Sequence, residues 1–272
     1  MSRTAGTAVS ADGTTIAFEK QGAGPAVVLV GGAFMTGAAS AELAGLLAED
    51  FTVITYDRRG RGHSGDSAAY EVRREIEDID ALIAGPGGGS AMLFGMSSGA
   101  VLALEATAHG SAVPRLALYE PPFITDDSRP PLPADYVEHL TELVGREAYG
   151  DAAAYFMTAA VGLPGEAVAG MRQAPFWAGM EAVARTLPYD GLIMGDTMSG
   201  RPLPVERWAS VTVPVLVGSG DAGAPHMLTG ARDLAAAGDN FTLRVFPGEE
   251  HTIEPKTLAP ALADFFGGRH TN

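Results

Sequence analysis

The sequence contains no cysteine in 272 residues. This absence excludes disulfide bonds, thiolate metal sites and a cysteine nucleophile, and it is compatible with a reducing compartment. Basic residues are also scarce, because 18 lysines and arginines stand against 33 acidic residues and give a net charge of −15. A surface of this sign repels nucleic-acid phosphates and anionic membranes. We therefore expect neither nucleic acid nor a membrane as a partner.

Three kinds of segment are missing as well. No uninterrupted apolar run reaches the length of a membrane-spanning helix. Residues 1–10 lack the apolar core of a signal peptide. The six histidines show no H-E-x-x-H motif or other spacing typical of a metal site. We expect a soluble, cytoplasmic protein that uses no metal and no other cofactor.

Short, largely apolar runs recur along the chain, as expected for strands buried on both faces of a parallel sheet. They lie at 26–30, 52–56, 91–94, 115–119, 213–217 and 241–246. Helical patterns separate them, the clearest being an apolar stripe spaced by four, three and four positions: Val72, Ile76, Ile79 and Ile83. Two further helices are predicted at 225–237 and 255–266, and a hairpin is predicted around Asp12 and Gly13. The alternation predicts an α/β fold with a doubly wound open sheet.

The pattern changes between about residues 122 and 204, where helix-like stretches are broken by proline and glycine and no strand is evident. We interpret this stretch as a helical lid inserted over the carboxyl edge of the sheet, where open α/β folds usually bind ligands. Residues 1–272 are predicted to form one domain that carries this insertion.

A nucleophile motif follows the run at 91–94. The sequence Gly95-Met-Ser-Ser-Gly99 matches G-x-S-x-G and leads into a good helix former, which is the strand–turn–helix context that the motif requires. The backbone bend leaves no room for side chains two residues from the serine, and both positions are glycine. Ser97 is the predicted nucleophile. Ser98 is a weaker alternative, because the positions two residues before and after it, where the bend leaves no room for a side chain, hold Met96 and Ala100.

A serine nucleophile needs a base, and the base needs a carboxylate that holds its tautomer. His251 follows the run at 241–246 and is the best-placed histidine for this role. Asp221 follows the run at 213–217 and is the favoured acid. Glu120 directly follows the run at 115–119 and is the alternative acid.

A competing motif overlaps the acid. Gly218-Ser-Gly-Asp-Ala-Gly223 formally matches the dinucleotide pattern G-x-G-x-x-G after a strand, with Asp239 further on. Such a motif would indicate an oxidoreductase. Its late position in the chain, and the better role for Asp221, disfavour that interpretation.

Taken together, these residues resemble the α/β-hydrolase superfamily over nearly the whole chain apart from the lid. Val28-Leu-Val-Gly-Gly-Ala33 and Tyr56-Asp-Arg-Arg-Gly-Arg-Gly-His-Ser-Gly65 add to the likeness. The resemblance implies a mostly parallel eight-stranded sheet with helices on both faces and a helical cap. It also implies an oxyanion hole made by the backbone N–H groups of Ala33 and Ser98.

This chain departs from the family at two positions, having Gly31 and Met96 where histidine is usual or frequent. The arginine-rich loop is expected to serve loop architecture, and Asp57 and Arg58 are assigned no catalytic role.

The function implied is a serine hydrolase that cleaves a carboxylic ester, lactone or thioester through an acyl-enzyme. The lid is rich in methionine and aromatic residues, so we expect a small-molecule substrate with an apolar acyl group. Phe34, Met96 and Trp177 are predicted to contact it. The same fold also serves cofactor-free haloperoxidase-like enzymes, carbon–carbon bond hydrolases, biosynthetic cyclases and non-catalytic ligand-binding members, which stay as alternatives.

Overall fold

The computed structural model describes residues 3–67 and 69–268. Its centre is one eight-stranded sheet with the order β1-β2-β4-β3-β5-β6-β7-β8. The pairs β1·β2 and β2·β4 are antiparallel, and all pairs from β4 to β8 are parallel. The strands are β1 (Arg3–Val9), β2 (Thr15–Gln21), β3 (Ala26–Val30), β4 (Thr52–Tyr56), β5 (Met92–Met96), β6 (Leu116–Tyr119), β7 (Val215–Gly220) and β8 (Phe241–Phe246). The predicted mostly parallel, eight-stranded sheet is confirmed.

Ten α-helices lie in the described residues. They are α1 (Ala41–Leu47), α2 (Val72–Ala84), α3 (Ser98–Ala108), α4 (Tyr136–Gly145), α5 (Tyr149–Ala159), α6 (Gly165–Met171), α7 (Trp177–Val183), α8 (Leu187–Met194), α9 (Pro225–Ala235) and α10 (Pro255–Phe266). Among them, none combines the length and the apolar character that a helix needs to cross a bilayer.

Both faces of the sheet are buried under helices. Side chains alternate between the two faces of a strand. In β3, Val28 and Val30 accordingly belong to the core that includes α2 and α3, whereas Val27 and Leu29 belong to the core that includes α1 and α10. The apolar stripe predicted for residues 72–83 faces the first of these cores, since Ile76, Ile79 and Ile83 are buried there and Val72 packs against it. The predicted doubly wound arrangement is confirmed.

The predicted hairpin and most strand positions are also confirmed, with small changes at the ends. In the hairpin the Thr14 N–H donates to Asp12 Oδ1 at 2.9 Å, and Gly13 has a φ of 86°. The strand predicted at 91–94 runs instead from Met92 to Met96, and the one predicted at 213–217 runs from Val215 to Gly220. This second shift matters for the site, because it carries β7 up to the residue before Asp221.

Residues 122–204 contain α4 to α8 and no strand. We refer to them as the helical segment. Its own apolar core includes Tyr136, Leu140 and Leu187, and Ala33 and Phe34 pack against that core from the loop after β3. The helical segment therefore contacts the carboxyl edge of the sheet, where the strands deliver the predicted site residues.

Candidate active site

Ser97 occupies a strained turn between β5 and α3. Its φ of 58° and ψ of −130° lie outside the regions that a serine usually adopts. A Cβ on Gly99 would overlap the carbonyl oxygens of Val30 and Gly31, and a Cβ on Gly95 would overlap the carbonyl oxygen of Gly99. The two glycines of the motif are thus required by close backbone contacts. The turn is tied to the next strand, because the Ser97 N–H donates to the Tyr119 carbonyl at 3.0 Å.

The loop after β3 passes beside this turn. A Cβ built on Gly32 would lie 2.8 Å from the Ser97 Cβ, so the backbone of residue 32 is adjacent to the serine. Among the described residues, 3–67 and 69–268, none accepts a hydrogen bond from the Ala33 N–H. Ser98 is the first residue of α3, where a helical N–H has no partner within its own helix. The N–H groups of both predicted oxyanion donors, Ala33 in the loop and Ser98 in α3, are therefore not engaged in hydrogen bonds within those segments.

The predicted base is paired with a buried carboxylate. His251 Nδ1 lies 2.8 Å from Glu120 Oε2, and the glutamate side chain is 0% exposed, whereas that of the histidine is 41% exposed. A carboxylate only accepts hydrogen bonds, so Nδ1 donates and Nε2 carries the lone pair of the neutral ring. The other carboxylate oxygen, Oε1, accepts from the Ser219 hydroxyl at 3.0 Å and from the Gly220 N–H at 2.9 Å. Glu120 is thereby held in one orientation toward the imidazole.

Asp221 is not the partner of His251, and the preference for it over Glu120 was wrong. Its carboxylate is exposed and accepts a hydrogen bond from the Gly248 N–H at 2.7 Å. The reason is the length of β7, which continues three residues beyond the predicted end and places Ser219, not Asp221, against Glu120. Glu120 also has a φ of 44°, which turns the chain sharply at the end of β6.

The loop that carries His251 is held by the same two strands. The Tyr119 hydroxyl donates to the Glu250 carbonyl at 2.6 Å, and the Ala222 N–H donates to the Glu249 carbonyl at 3.1 Å. Tyr119 precedes Glu120, so one strand end supports both the acid and the loop of the base.

The arginine-rich loop after β4 is buried and ion-paired, in line with the architectural role predicted for it. Arg58 donates to both oxygens of Glu75 at 2.7 Å, and Arg59 donates to Asp78 at 2.7 and 2.8 Å. Arg61 donates to Asp190 of α8 at 2.7 Å. The three guanidinium groups are at most 1% exposed.

Burial and ion pairing act against each other in this cluster. Burial raises the pKa of Asp190, but Arg61 and Arg58 outweigh it and hold that pKa below its usual value. Burial likewise opposes the charge on Arg58, yet Glu75 and Asp190 hold its pKa above the usual value. Burial, with Arg58 beside it, lowers the pKa of Arg61. The charged state of each group therefore depends on its partners.

The three predicted substrate contacts have different surroundings. Phe34 has a φ of 62°, is partly exposed, and packs edge-to-face on Phe156 of α5 with ring centroids 5.1 Å apart. Met96 is partly exposed at the end of β5, beside Ser97. Trp177 is 4% exposed in the interior of the helical segment, and its indole donates to Glu181 at 3.0 Å. Phe34 and Met96 lie at the carboxyl edge, whereas Trp177 contributes to the core of the helical segment.

Sequence reasoning missed Asp190, which lies in a part of the chain where no motif draws attention to an acid. One signal was present in the sequence. Three arginines at positions 58, 59 and 61 directly follow a buried strand in a chain with few basic residues, so buried acidic partners were to be expected. Glu75 and Asp78, each one residue before a core isoleucine of α2, are two of them.

Comparison with known proteins agrees with this fold. The sequence profile described as the alpha/beta hydrolase family matches residues 27–260. An alpha/beta hydrolase from Sphaerobacter thermophilus DSM 20745 is 51% identical, with a TM-score of 0.89 over 96% of this chain and 100% of that one. A thermophilic esterase from Thermogutta terrifontis, solved with malate bound, is 21% identical, with a TM-score of 0.70 over the full length of both chains.

A curated relative from Bacillus subtilis (strain 168), the uncharacterized hydrolase YraK, is 35% identical over 96 residues. That match spans 34% of this chain and 35% of the relative, about a third of its length.

Proposed function

Because this chain belongs to the alpha/beta hydrolase family, we propose that it is a serine hydrolase acting on a carboxylic ester, lactone or thioester. Membership of a family of hydrolases supports an enzyme, and the site supports the class. The observation that carries the proposal is the 2.8 Å contact between His251 Nδ1 and the buried Glu120, at the sheet edge where Ser97 occupies its strained turn. Ser97 is the nucleophile, His251 the base and Glu120 the acid.

The first half of the reaction forms an acyl-enzyme. His251 Nε2 accepts the proton of the Ser97 hydroxyl as Oγ attacks the carbonyl carbon. The carbonyl oxygen takes up negative charge and is bound by the N–H groups of Ala33 and Ser98. The C–O or C–S bond of the substrate then breaks, and the imidazolium returns its proton to the leaving alcohol or thiol; in a lactone this group stays attached to the acyl chain.

The second half releases the acid. His251 takes a proton from water, the hydroxide attacks the acyl carbon, and Oγ leaves with the proton from the imidazolium. Glu120 keeps Nδ1 protonated throughout and stabilises the cationic ring, while its own proton balance does not change. The Ser219 and Gly220 donors support this role, because they hold the carboxylate in one orientation.

The carboxyl edge supports an apolar acyl group in a small-molecule substrate. Phe34 and its edge-to-face partner Phe156 present apolar surface on the loop after β3 and on α5, and Met96 directly precedes Ser97. Trp177 acts through the core beneath them. A long acyl chain gains free energy from each buried methylene, about 0.8 kcal/mol per CH₂.

We also infer that residues 1–272 fold as one domain with the helical segment as an insertion. The larger core extends from the sheet into α8, where Ile193 and Met194 are buried with the strands. One cooperative unfolding transition, followed by both tryptophan fluorescence and far-UV circular dichroism, is the expected behaviour of such a unit.

The proposal is tested by covalent labelling. The native protein is treated with a fluorophosphonate and its intact mass is recorded, beside the Ser97→Ala variant. Nitrophenyl esters of increasing chain length are hydrolysed in parallel. We expect one adduct on the native protein and none on Ser97→Ala, together with a loss of kcat of about 10³-fold or more in the variant.

Three results carry distinct meanings. An adduct that persists in Ser97→Ala but disappears in Ser98→Ala would identify Ser98 as the nucleophile. Labelling without ester turnover would favour a non-hydrolytic member of the fold, such as a haloperoxidase-like enzyme. No adduct on the native protein would contradict the activated serine and favour a binding role.

A further inference from the structure

We refer to residues 31–35, which follow β3, as the oxyanion loop. A cluster of four buried charged side chains, with no net charge, contacts this loop. Arg58, Arg61, Glu75 and Asp190 are each at most 2% exposed. Two positive and two negative groups share it, and both oxygens of each carboxylate are hydrogen-bonded. Burying charges in this way is costly, and an apolar cluster of similar volume often stabilises a fold as well. The contacts at the ends of the cluster indicate what the charges do here.

The arginines of the cluster hold the carbonyl groups of the oxyanion loop. Arg61 Nη1 donates to the Gly32 carbonyl at 2.6 Å and to the Met35 carbonyl at 3.1 Å, and Arg58 Nη1 donates to the Gly31 carbonyl at 3.3 Å. The Gly32 carbonyl and the Ala33 N–H belong to one peptide unit. In a planar trans peptide these two groups point in opposite directions. With its carbonyl fixed on Arg61, this peptide directs the Ala33 N–H away from the charges.

Asp190 connects that loop to the second donor. Its Oδ2 accepts from Arg61 Nη2 at 2.7 Å, and its Oδ1 accepts from Arg58 Nη1 and from the Ser98 hydroxyl, each at 2.7 Å. Ser98 is the residue whose N–H is the other predicted oxyanion donor. One carboxylate on α8 is therefore two hydrogen bonds from the peptide of Ala33 and one from Ser98.

On the premise of the proposed function, we propose that Asp190 is a positioning residue that aligns both oxyanion donors from the helical segment. It touches no reacting atom. Without the charge of Asp190, Arg61 loses its carboxylate partner and is positioned less firmly against the Gly32 carbonyl. The remaining donor to that carbonyl among the described residues is the Met35 N–H at 3.3 Å, so the peptide turns more easily. A turned peptide presents a carbonyl, not an N–H, to the developing oxyanion. The loss is therefore expected in the transition state and not in substrate binding.

The chain contains a matched control for this role. Asp78 is also a buried carboxylate, 1% exposed, and it accepts hydrogen bonds from Nε and Nη2 of Arg59 in the same arginine-rich loop. Among the described residues, neither Asp78 nor Arg59 forms a hydrogen bond with residues 31–35 or with Ser98. Asp78→Asn thus removes a similar buried ion pair without touching the oxyanion loop.

The experiment compares Asp190→Asn with Asp78→Asn. For each variant we measure Tm, the kcat and KM for a nitrophenyl ester, and the affinity for a trifluoromethyl ketone, which forms a tetrahedral adduct. We expect both variants to lower Tm. Asp190→Asn alone should lower kcat by about 10²-fold. Its affinity for the ketone should fall by a similar factor, whereas its KM should change by less than about threefold. Asp78→Asn should keep kcat within about twofold.

Equal kcat values for the two variants, or a loss confined to KM, would overturn the role of Asp190. If Asp190→Asn does not fold, Ser98→Ala decides the matter, because it removes one bond to Asp190 and leaves every buried charge paired. It should lower kcat and ketone affinity together by about threefold to tenfold. No change in either quantity would contradict the proposal. A native protein that neither labels nor turns over would instead defeat the proposed function itself.

Discussion

Two acidic side chains leave the carboxyl edge of the sheet one strand apart, Glu120 after β6 and Asp221 after β7. Glu120 is fully buried and accepts three hydrogen bonds, one of them from His251. Asp221 is exposed and accepts one, from the Gly248 N–H. Each loop begins with an acidic residue that directly follows a parallel strand. What separates them is where each strand ends and which neighbouring groups can satisfy a buried carboxylate.

Removing the carboxylate charge from each of the two loops in turn should distinguish them most strongly. Glu120→Gln should lower kcat by about 10³- to 10⁴-fold, because the amide has no charge and can turn an N–H toward Nδ1, which stabilises the wrong tautomer. Asp221→Asn should change kcat by less than about threefold. Steady-state hydrolysis of one nitrophenyl ester measures both.

Glu120→Asp separates the charge of the acid from its position. It keeps the charge but withdraws it by one methylene, so we expect a loss between those of the native protein and Glu120→Gln. A large loss of kcat in Asp221→Asn, together with a small loss in Glu120→Gln, would identify Asp221 and not Glu120 as the acid.

The second prediction concerns the pH dependence of stability in the region after β7. His226 of α9 is buried, and burial, with the Arg129 guanidinium beside it, lowers its pKa from 6.5 to about 4. His251 also opposes its protonation, whereas Glu120 and Asp126 favour it. In the pH window between 6.5 and about 4 the unfolded chain binds a proton here that the folded chain does not. Stability that is present above pH 6.5 is therefore lost as pH falls toward 4.

His226→Gln should remove this part of the pH dependence, worth about 1–3 kcal/mol across the window. Urea unfolding at several pH values between 4 and 7 measures it, with the native protein as reference. An unchanged slope in the variant would show that His226 is protonated equally in both states.

A weaker effect is expected from removing a hydrogen bond that orients Glu120 while its charge is kept. Ser219→Ala removes one of the donors to Oε1 and leaves the Gly220 N–H and His251 in place. A single hydrogen bond of this kind is worth about 1 kcal/mol, so we expect about a fivefold loss in kcat. Ser210→Ala, which removes an exposed hydroxyl bonded to the Ala108 carbonyl, is the control and should leave kcat unchanged. Equal behaviour of the two variants would contradict the supporting role of Ser219.

The sequence was sufficient for the parts of the molecule that depend on local patterns. The bounds of β3 and β4, the apolar stripe of α2 and the turn at Ser97 follow from side-chain periodicity and from the two glycines that the turn requires. His251 was singled out because it follows a predicted strand, and its imidazole contacts a carboxylate in the structure.

The contacts between distant segments were harder to predict. The choice between Glu120 and Asp221 depends on where β7 ends, and strand ends are poorly defined by composition when the last residues are glycine and serine. Asp190 contacts Arg58 across 132 positions of the chain. Such a pairing leaves no periodic trace, because it is set by how α8 packs on the loop after β4.

The position of Asp190 also sets a boundary for building chimeras. A chimera that exchanges the whole helical segment replaces Asp190 too. Arg58 then keeps Glu75, but Arg61 loses the carboxylate that it binds unless the donor protein supplies an acid. An uncompensated buried charge costs several kcal/mol, roughly 3–5, which is a large fraction of the stability of a typical domain. A junction placed after α7 instead exchanges α4 to α7, including the part of the helical segment that packs on Phe34, and retains both Thr186 and Asp190 as partners of Arg61. Transplanting substrate preference and preserving the oxyanion loop are then separable tasks.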